Sequence, residues 1–234
     1  MNSEKTTPQT GYVDAKTLLL RTAFFKALDA VAIDEVTRSH KRSTYLRGRD
    51  VFVEGDPSSE LFVVATGRVA IVKSAIGGKD SLMALMEPGD LFGEMGLFDD
   101  QGRSATARCL ERTELLKVPY SALRLILHQR PGLLWGMLEL LAKRLRNTDG
   151  ALADAMFLDV PGRTAKRILE ISGGELDFIL PLTQEELAGL VGASRERVNK
   201  AIAALCKAGV LEVIDRRYRI LDPAELLRLT GESK

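Results

Sequence analysis

No proline interrupts residues 132–160, and within that stretch Leu134, Leu138, Leu141, Leu145, Thr148, Leu152 and Ala155 recur at alternating steps of four and three. Such steps lay one apolar seam along a single long helix, the heptad pattern of a coiled coil. A helix with that seam needs something to cover it. Either the rest of the same chain or a second, parallel copy would serve, and the regularity of the steps favours the second copy. The homodimer contacts would then be Leu134, Leu138, Leu141, Leu145, Thr148 and Leu152. Thr148 is polar where the seam should be apolar, and Asp149 and Gly150 follow it. Glycine inside a helix costs about 1 kcal/mol relative to alanine. This weak point therefore suggests a functional use.

The helix divides the chain into stretches of different texture. Residues 1–14 are polar and expected to be disordered. From about Ala15 to Thr37, apolar residues recur at helical spacing. From there to Val118 the chain turns to short Val-, Phe- and Ile-rich runs, broken by GDP, TGR and EPGD. Short strands at regular spacing predict an antiparallel barrel or jelly roll. Asp159-Val160-Pro161-Gly162 then ends the long helix and opens another, with Asp159 suited to an N-cap and Pro161 to the first turn. The predicted organisation is α+β: a β-barrel domain over 15–131, a dimerisation helix over 132–158 with its hinge at Asp159, and a further domain over 159–234.

Composition excludes more than it assigns. The 234 residues are 45% hydrophobic and 28% charged, with net charge +1, ordinary for a soluble globular chain of cytoplasmic type. No apolar run is long enough for a membrane span or a signal-peptide core. Cys109 and Cys206 lack metal-ligand or CxxC spacing and read as reduced, buried thiols. His40 and His128 stand apart as surface or helix-end residues. No phosphate-binding GxxxxGK[ST] loop or GxSxG elbow is present, so neither enzyme nor metal chemistry is expected. Basic residues instead cluster late, as Arg163-Lys166-Arg167, Arg195-Arg197-Lys200 and Arg216-Arg217-Arg219.

One stretch between strands, FGEMGLFDDQGRSATARC (92–109), carries Gly93-Glu94 at one end and Arg103-Ser104 at the other. A carboxylate accepts from hydroxyls, whereas an arginine–serine pair attracts phosphate. A ligand with a sugar hydroxyl at one end and a phosphate at the other satisfies both. An internal Glu94–Arg103 ion pair closing a surface loop would satisfy them equally. On the ligand reading Arg103 is partly exposed and contributes little to the fold.

The second motif is LTQEELAGLVGASRERVNKAI. Thr183 with Glu186 forms a capping box, Gly192 supplies a left-handed turn and Ser194 caps the next helix. Val198, Ile202 and Leu205 face inward, leaving Arg195, Glu196 and Lys200 on the outer N-terminal half, where a recognition helix reads bases in the major groove. Asp215 to Arg219 follows as a basic hairpin, a wing able to lie on the phosphate backbone. A solvated charged face is the plainer reading, but the cap–turn–cap arrangement favours DNA.

Barrel, long helix, hinge and winged helix, in that order, resemble the family of cyclic-AMP receptor protein and FNR-type transcription regulators. The likeness covers nearly the whole chain and is densest in FGEMGLF…GRSAT, FLDVPGRTAKRILE and LTQEELAGLVGASRERVNKAI; the last two resemble the actinobacterial branch. The resemblance implies a cyclic-nucleotide-binding jelly roll, a dimerisation helix and a winged helix-turn-helix, with cyclic AMP as effector and no metal. Glu94 would accept the ribose 2′-hydroxyl beside the Gly93 backbone. Arg103 and Ser104 would hold the cyclic phosphate, flanked by Met95 and Ala105. Thr148 would meet the adenine, with the neighbouring residue, Asp149 of the partner subunit, completing the site. Thr183, Ser194, Arg195, Glu196, Arg197, Lys200 and Arg217 would contact a two-fold symmetric DNA site with TGTGA-like half-sites, and RNA polymerase is a further partner that the resemblance suggests. The chain departs from enteric members at Asp149 (serine there), Lys200 (arginine) and Gln184 (arginine). Asp149 motivates an alternative, a regulator of the same fold that binds DNA without nucleotide or answers another effector. A second alternative is a cyclic-nucleotide-binding module acting on a protein partner.

Overall fold

The structure, a computed structural model, describes residues 14–74 and 80–231. They fall into two compact units, one running up to Val69 and from Met86 to Leu140, the other from Ala70 to Leu85 and from Leu141 onward. Of the segment 1–14, only Asp14 lies within the described residues, and it caps a helix by accepting the Thr17 N–H at 3.1 Å.

The helical pattern after Asp14 resolves into three short helices, α1 (Ala15–Leu19), α2 (Ala23–Lys26) and α3 (Ala30–Ser39). Thr22 and Asp29 each restart the chain as side-chain N-caps, which is why one long helix does not form. The strands are β1 (Lys41–Tyr45), β2 (Asp50–Phe52), β3 (Glu60–Thr66), β4 (Val69–Ser74), β5 (Asp80–Met86), β6 (Leu91–Phe92), β7 (Thr106–Cys109) and β8 (Thr113–Pro119). They form two four-stranded sheets ordered β1-β8-β3-β6 and β2-β7-β4-β5, the expected two-sheet jelly roll. The antiparallel register sets Val63 against Leu116 and Phe62 against Phe92. Leu61 to Ala65 are all buried, so β3 reads as an unbroken apolar run rather than an alternation. The rings of Phe62 and Phe92 stack at 5.2 Å.

Between β6 and β7 lies the short helix α4 (Gly96–Asp99), and β8 runs directly into α5 (Tyr120–Gln129). After a single 3-10 turn at Pro131–Leu133 comes α6 (Leu134–Phe157), which continues unbroken through Gly150. In the single chain its seam lies open. Leu145 and Leu152 are 62% and 61% exposed, and Leu134, Leu138, Trp135, Met156 and Phe157 are exposed with them. Leu141 is half-buried. The inward-facing residue of the first turns is Met137, 1% exposed.

In the second unit Asp159 caps α7 (Val160–Ser172) by accepting the Gly162 N–H at 2.8 Å. β9 (Asp177–Ile179), α8 (Gln184–Val191), α9 (Arg195–Lys207), β10 (Leu211–Ile214), β11 (Arg217–Ile220) and α10 (Pro223–Leu229) complete it. The strands form a small sheet ordered β10-β11-β9. Ile168, Leu187, Val198, Leu205, Leu211, Tyr218 and Leu226 make its core. The β4–β5 hairpin belongs to this unit, where Leu82 packs over Gly189 of α8: a side-chain carbon on that glycine would meet the Leu82 Cβ at 3.4 Å.

Candidate functional site

The stretch 92–109 folds into a compact excursion from β6 to β7 through α4. Gly93 has φ +74°, and a Cβ there would lie 2.7 Å from the Arg103 guanidinium. Only glycine meets both demands. Glu94 is 1% exposed, and its carbonyl accepts the Leu97 N–H at 3.0 Å as α4 begins. On the return limb the Gly55 N–H donates to the Arg103 carbonyl (2.9 Å) and the Arg103 N–H to the Asp56 carbonyl (2.8 Å). These bonds pin the return end of the excursion to the loop after β2. The two ends of the excursion lie side by side, with Arg103 reaching the Gly93 carbonyl and Ser104 the Met95 sulfur.

Arg103 departs from expectation. It is 7% exposed rather than partly exposed, because neighbouring strands build a cage for it. One terminal nitrogen donates to the Gly93 carbonyl (2.9 Å) and the Tyr120 hydroxyl (3.3 Å), the other to the Glu60 carbonyl (2.8 Å). The guanidinium lies over the Phe52 ring at 4.1 Å, a cation–π contact that strengthens when desolvated. The guanidinium donates to carbonyls and a phenol, so an ion pair with Glu94 is not what closes the loop. Its Nε, also buried, has no hydrogen-bond partner among the described residues. An orphaned, charged N–H donor in a buried site calls for an anion. Ser104 beside it is exposed and donates to the Met95 sulfur at 3.3 Å, while Ala105 is buried. Phe52, the Glu60 carbonyl and Tyr120 escaped the sequence reading. They lie far apart along the chain, and no spacing rule links them to Arg103.

Thr148 and Asp149 are both exposed on α6. The Thr148 hydroxyl donates back to the Arg144 carbonyl at 3.0 Å, so its oxygen lone pairs and the Asp149 carboxylate both face outward.

The helix-turn-helix is built as its sequence dictates. The Thr183 hydroxyl accepts the Glu186 N–H at 3.2 Å and the Thr183 N–H donates to the Glu186 carboxylate at 2.6 Å, a complete capping box. Gly192 turns the chain at φ +69°, and the Ser194 hydroxyl accepts the Arg197 N–H at 3.4 Å. Val198, Ala201, Ile202 and Leu205 of α9 are buried, while Arg195, Glu196, Arg197, Asn199 and Lys200 face solvent. Gln184, at the start of α8, turns inward and donates to the buried Tyr218 hydroxyl at 2.9 Å.

The other two basic clusters are not free cations. Arg163 donates to the Leu158 carbonyl between α6 and α7 (2.8 Å) and to the Val191 carbonyl at the end of α8 (3.0 Å). Lys166 pairs with the buried Asp154 at 2.8 Å, and Arg167 pairs with Glu170. Arg163 thus ties the start of α7 to the end of α8 and Lys166 ties α7 to α6, while Arg167 pairs within α7. In the wing, Arg217 forks onto Asp177 of β9 (2.6 and 3.1 Å) and Arg219 reaches Glu212 at 2.7 Å. Arg217 holds the Asp177 carboxyl below the ordinary carboxylate range, and Asp177 raises Arg217 in turn. The tip of the wing is Asp215-Arg216, with Asp215 at φ +56°. Arg217, expected as a phosphate anchor, is thus exposed but internally matched.

A model of the cyclic nucleotide-binding domain matches residues 42–130, and one of the Crp-like helix-turn-helix domain matches residues 162–229. The CRP-like cAMP-activated global transcriptional regulator of Mycobacterium tuberculosis is 37% identical over 218 residues, which cover 90% of this chain and 97% of that one. The cyclic AMP receptor protein of Thermus thermophilus is 33% identical over 189 residues, covering 81% and 88%. Among solved structures, the c-di-GMP responsive global regulator CLP of Xanthomonas campestris aligns with a TM-score of 0.72 at 27% identity, over 82% of this chain and 99% of that one.

Proposed function

The chain belongs to the family of cyclic-AMP receptor protein and FNR-type transcription regulators, and from that premise we propose that it is a homodimeric, cytoplasmic, cyclic-AMP-responsive DNA-binding regulator. The observation that carries the nucleotide half is the buried Arg103 Nε, without a hydrogen-bond partner among the described residues, beside the exposed Ser104 hydroxyl and nine residues from the buried Glu94. Arg103 and Ser104 hold the cyclic phosphate, flanked by Met95 and Ala105. Glu94 accepts the ribose 2′-hydroxyl next to the Gly93 backbone, and Thr148 meets the adenine, with Asp149 of the partner subunit completing the site. The DNA half rests on α9, whose buried face is apolar and whose first turns present Arg195, Glu196, Arg197 and Lys200 to solvent. Thr183 and Ser194 lie at the helix starts, where N–H groups meet phosphates. The exposed seam of α6 pairs two copies, setting the two recognition helices about 34 Å apart on one face of the duplex.

Linkage requires that nucleotide and DNA raise each other's affinity by the same factor. Titration calorimetry with cyclic AMP, with and without a symmetric TGTGA-type duplex, tests this. The expected result is tighter nucleotide binding with DNA present and tighter DNA binding with nucleotide present. Equal affinities in both arms point to the second reading, DNA binding independent of the nucleotide. That reading is favoured by one feature, the exposed Asp149 carboxylate beside Thr148.

A further inference from the structure

The geometry points to Tyr120 as a positioning residue of the nucleotide site, acting through Arg103 and Gly93. This deepens the nucleotide reading above and rests on it. Tyr120 is buried at the first position of α5, immediately after β8. Its hydroxyl donates to the Gly93 carbonyl and accepts from the Arg103 guanidinium at 3.3 Å. One oxygen atom thus ties the two ends of the excursion together: the residue preceding Glu94 and the arginine assigned to the phosphate. Burial pushes the phenol above its ordinary value, so it remains a protonated donor throughout the physiological range. One turn along α5, Arg124 donates to the Leu97 carbonyl at 3.2 Å and pairs with Asp100, so the same helix face also grips the far end of α4.

Arg103 has two conformational tasks: its terminal nitrogens hold the protein while Nε is left for the ligand. A long side chain reaches that state only if something fixes its rotamer, and the Phe52 ring fixes only its plane. The Tyr120 hydroxyl fixes its direction within that plane. It also restrains Gly93 at positive φ, hence the placement of the Glu94 carboxylate. Freezing the receiving groups before the ligand arrives raises affinity by reducing what must be ordered on binding.

The test is a double-mutant cycle on the full-length chain: wild type, Tyr120→Phe, Arg103→Lys and the double variant, each titrated with cyclic AMP and with 2′-deoxy cyclic AMP, and each melted without nucleotide. Tyr120→Phe removes one oxygen and keeps the buried ring. It is expected to weaken cyclic AMP about ten-fold, the scale of a hydrogen bond to a charged group. The loss on Arg103→Lys is expected to shrink in the Tyr120→Phe background, and so is the penalty for the missing 2′-hydroxyl. A merely structural tyrosine would lower the melting midpoint while leaving both penalties unchanged. Binding within two-fold of wild type, or strictly additive losses, overturns the positioning role while the nucleotide reading stands. A wild-type chain that takes up no cyclic AMP overturns that reading and the role of Tyr120 with it.

Discussion

Replacing Leu145 by alanine separates the seam from the fold. In the single chain this side chain is 62% exposed, so its removal takes little from the core of its own chain. Fully burying a leucine contributes about 1.5–3 kcal/mol. Covering the exposed part on association therefore contributes about 1–2 kcal/mol per copy, or about 2–4 kcal/mol for a two-fold dimer that buries it twice. The expected outcome for Leu145→Ala is a dimer dissociation constant raised roughly 30- to 900-fold, with far-ultraviolet dichroism unchanged. Met137, on the same helix but 1% exposed, is the internal control. Met137→Ala should lower the stability of the chain by about 2–5 kcal/mol, the range for core truncations, and shift the dimer constant little. Sedimentation equilibrium over a concentration series, paired with chemical unfolding, reads both. A Leu145→Ala chain that stays dimeric with wild-type affinity, or that loses as much stability as Met137→Ala, would refute the assignment of the seam to a second copy.

Arg103→Ala should abolish measurable cyclic-AMP binding by calorimetry. It should also lower stability by about 1–3 kcal/mol, because the Glu60 and Gly93 carbonyls lose a charged donor in a buried site; an unchanged melting curve would contradict the cage. In a base-substituted operator panel titrated at several salt concentrations, Arg195→Ala should cost about 1–3 kcal/mol per half-site and relax preference at one base pair. Arg217→Ala should weaken all sequences alike by a smaller factor, since Asp177 already neutralises that guanidinium; altered base preference with Arg217→Ala would reverse the two roles. Burial raises both thiols, so the thiolate fraction at neutral pH lies below that of a free cysteine. Ellman's reagent should reach the half-buried Cys206 slowly and the buried Cys109 only on unfolding; rapid native labelling of Cys109 would show that β7 is open.

Much of this molecule is written in local periodicity. The four-three spacing from Leu134 to Ala155, the Thr183–Glu186 capping box, the Gly192 turn and the Asp159-Val160-Pro161 helix start each lie within a few residues of chain. Their hydrogen bonds close over three or four positions, so residue type alone determines them. The same holds for the outward face of α9, which follows from burying Val198, Ile202 and Leu205 at helical spacing. Where a side chain's partners come from elsewhere, the sequence was silent. Arg103 looked like a surface residue because Phe52, Glu60 and Tyr120 lie 17 to 51 positions away and meet it only once β2, β3 and the start of α5 close around it. Arg217 looked like a free wing cation because its match, Asp177, arrives through the antiparallel register of β9 on β11. Arg163 and Lys166 looked like part of a basic patch until the folding of α7 against α8 and α6 directed them to backbone carbonyls and to Asp154. Helical neighbours are set by a fixed rise per residue, whereas strand partners and cage walls depend on how loops return the chain, and that only the tertiary structure decides.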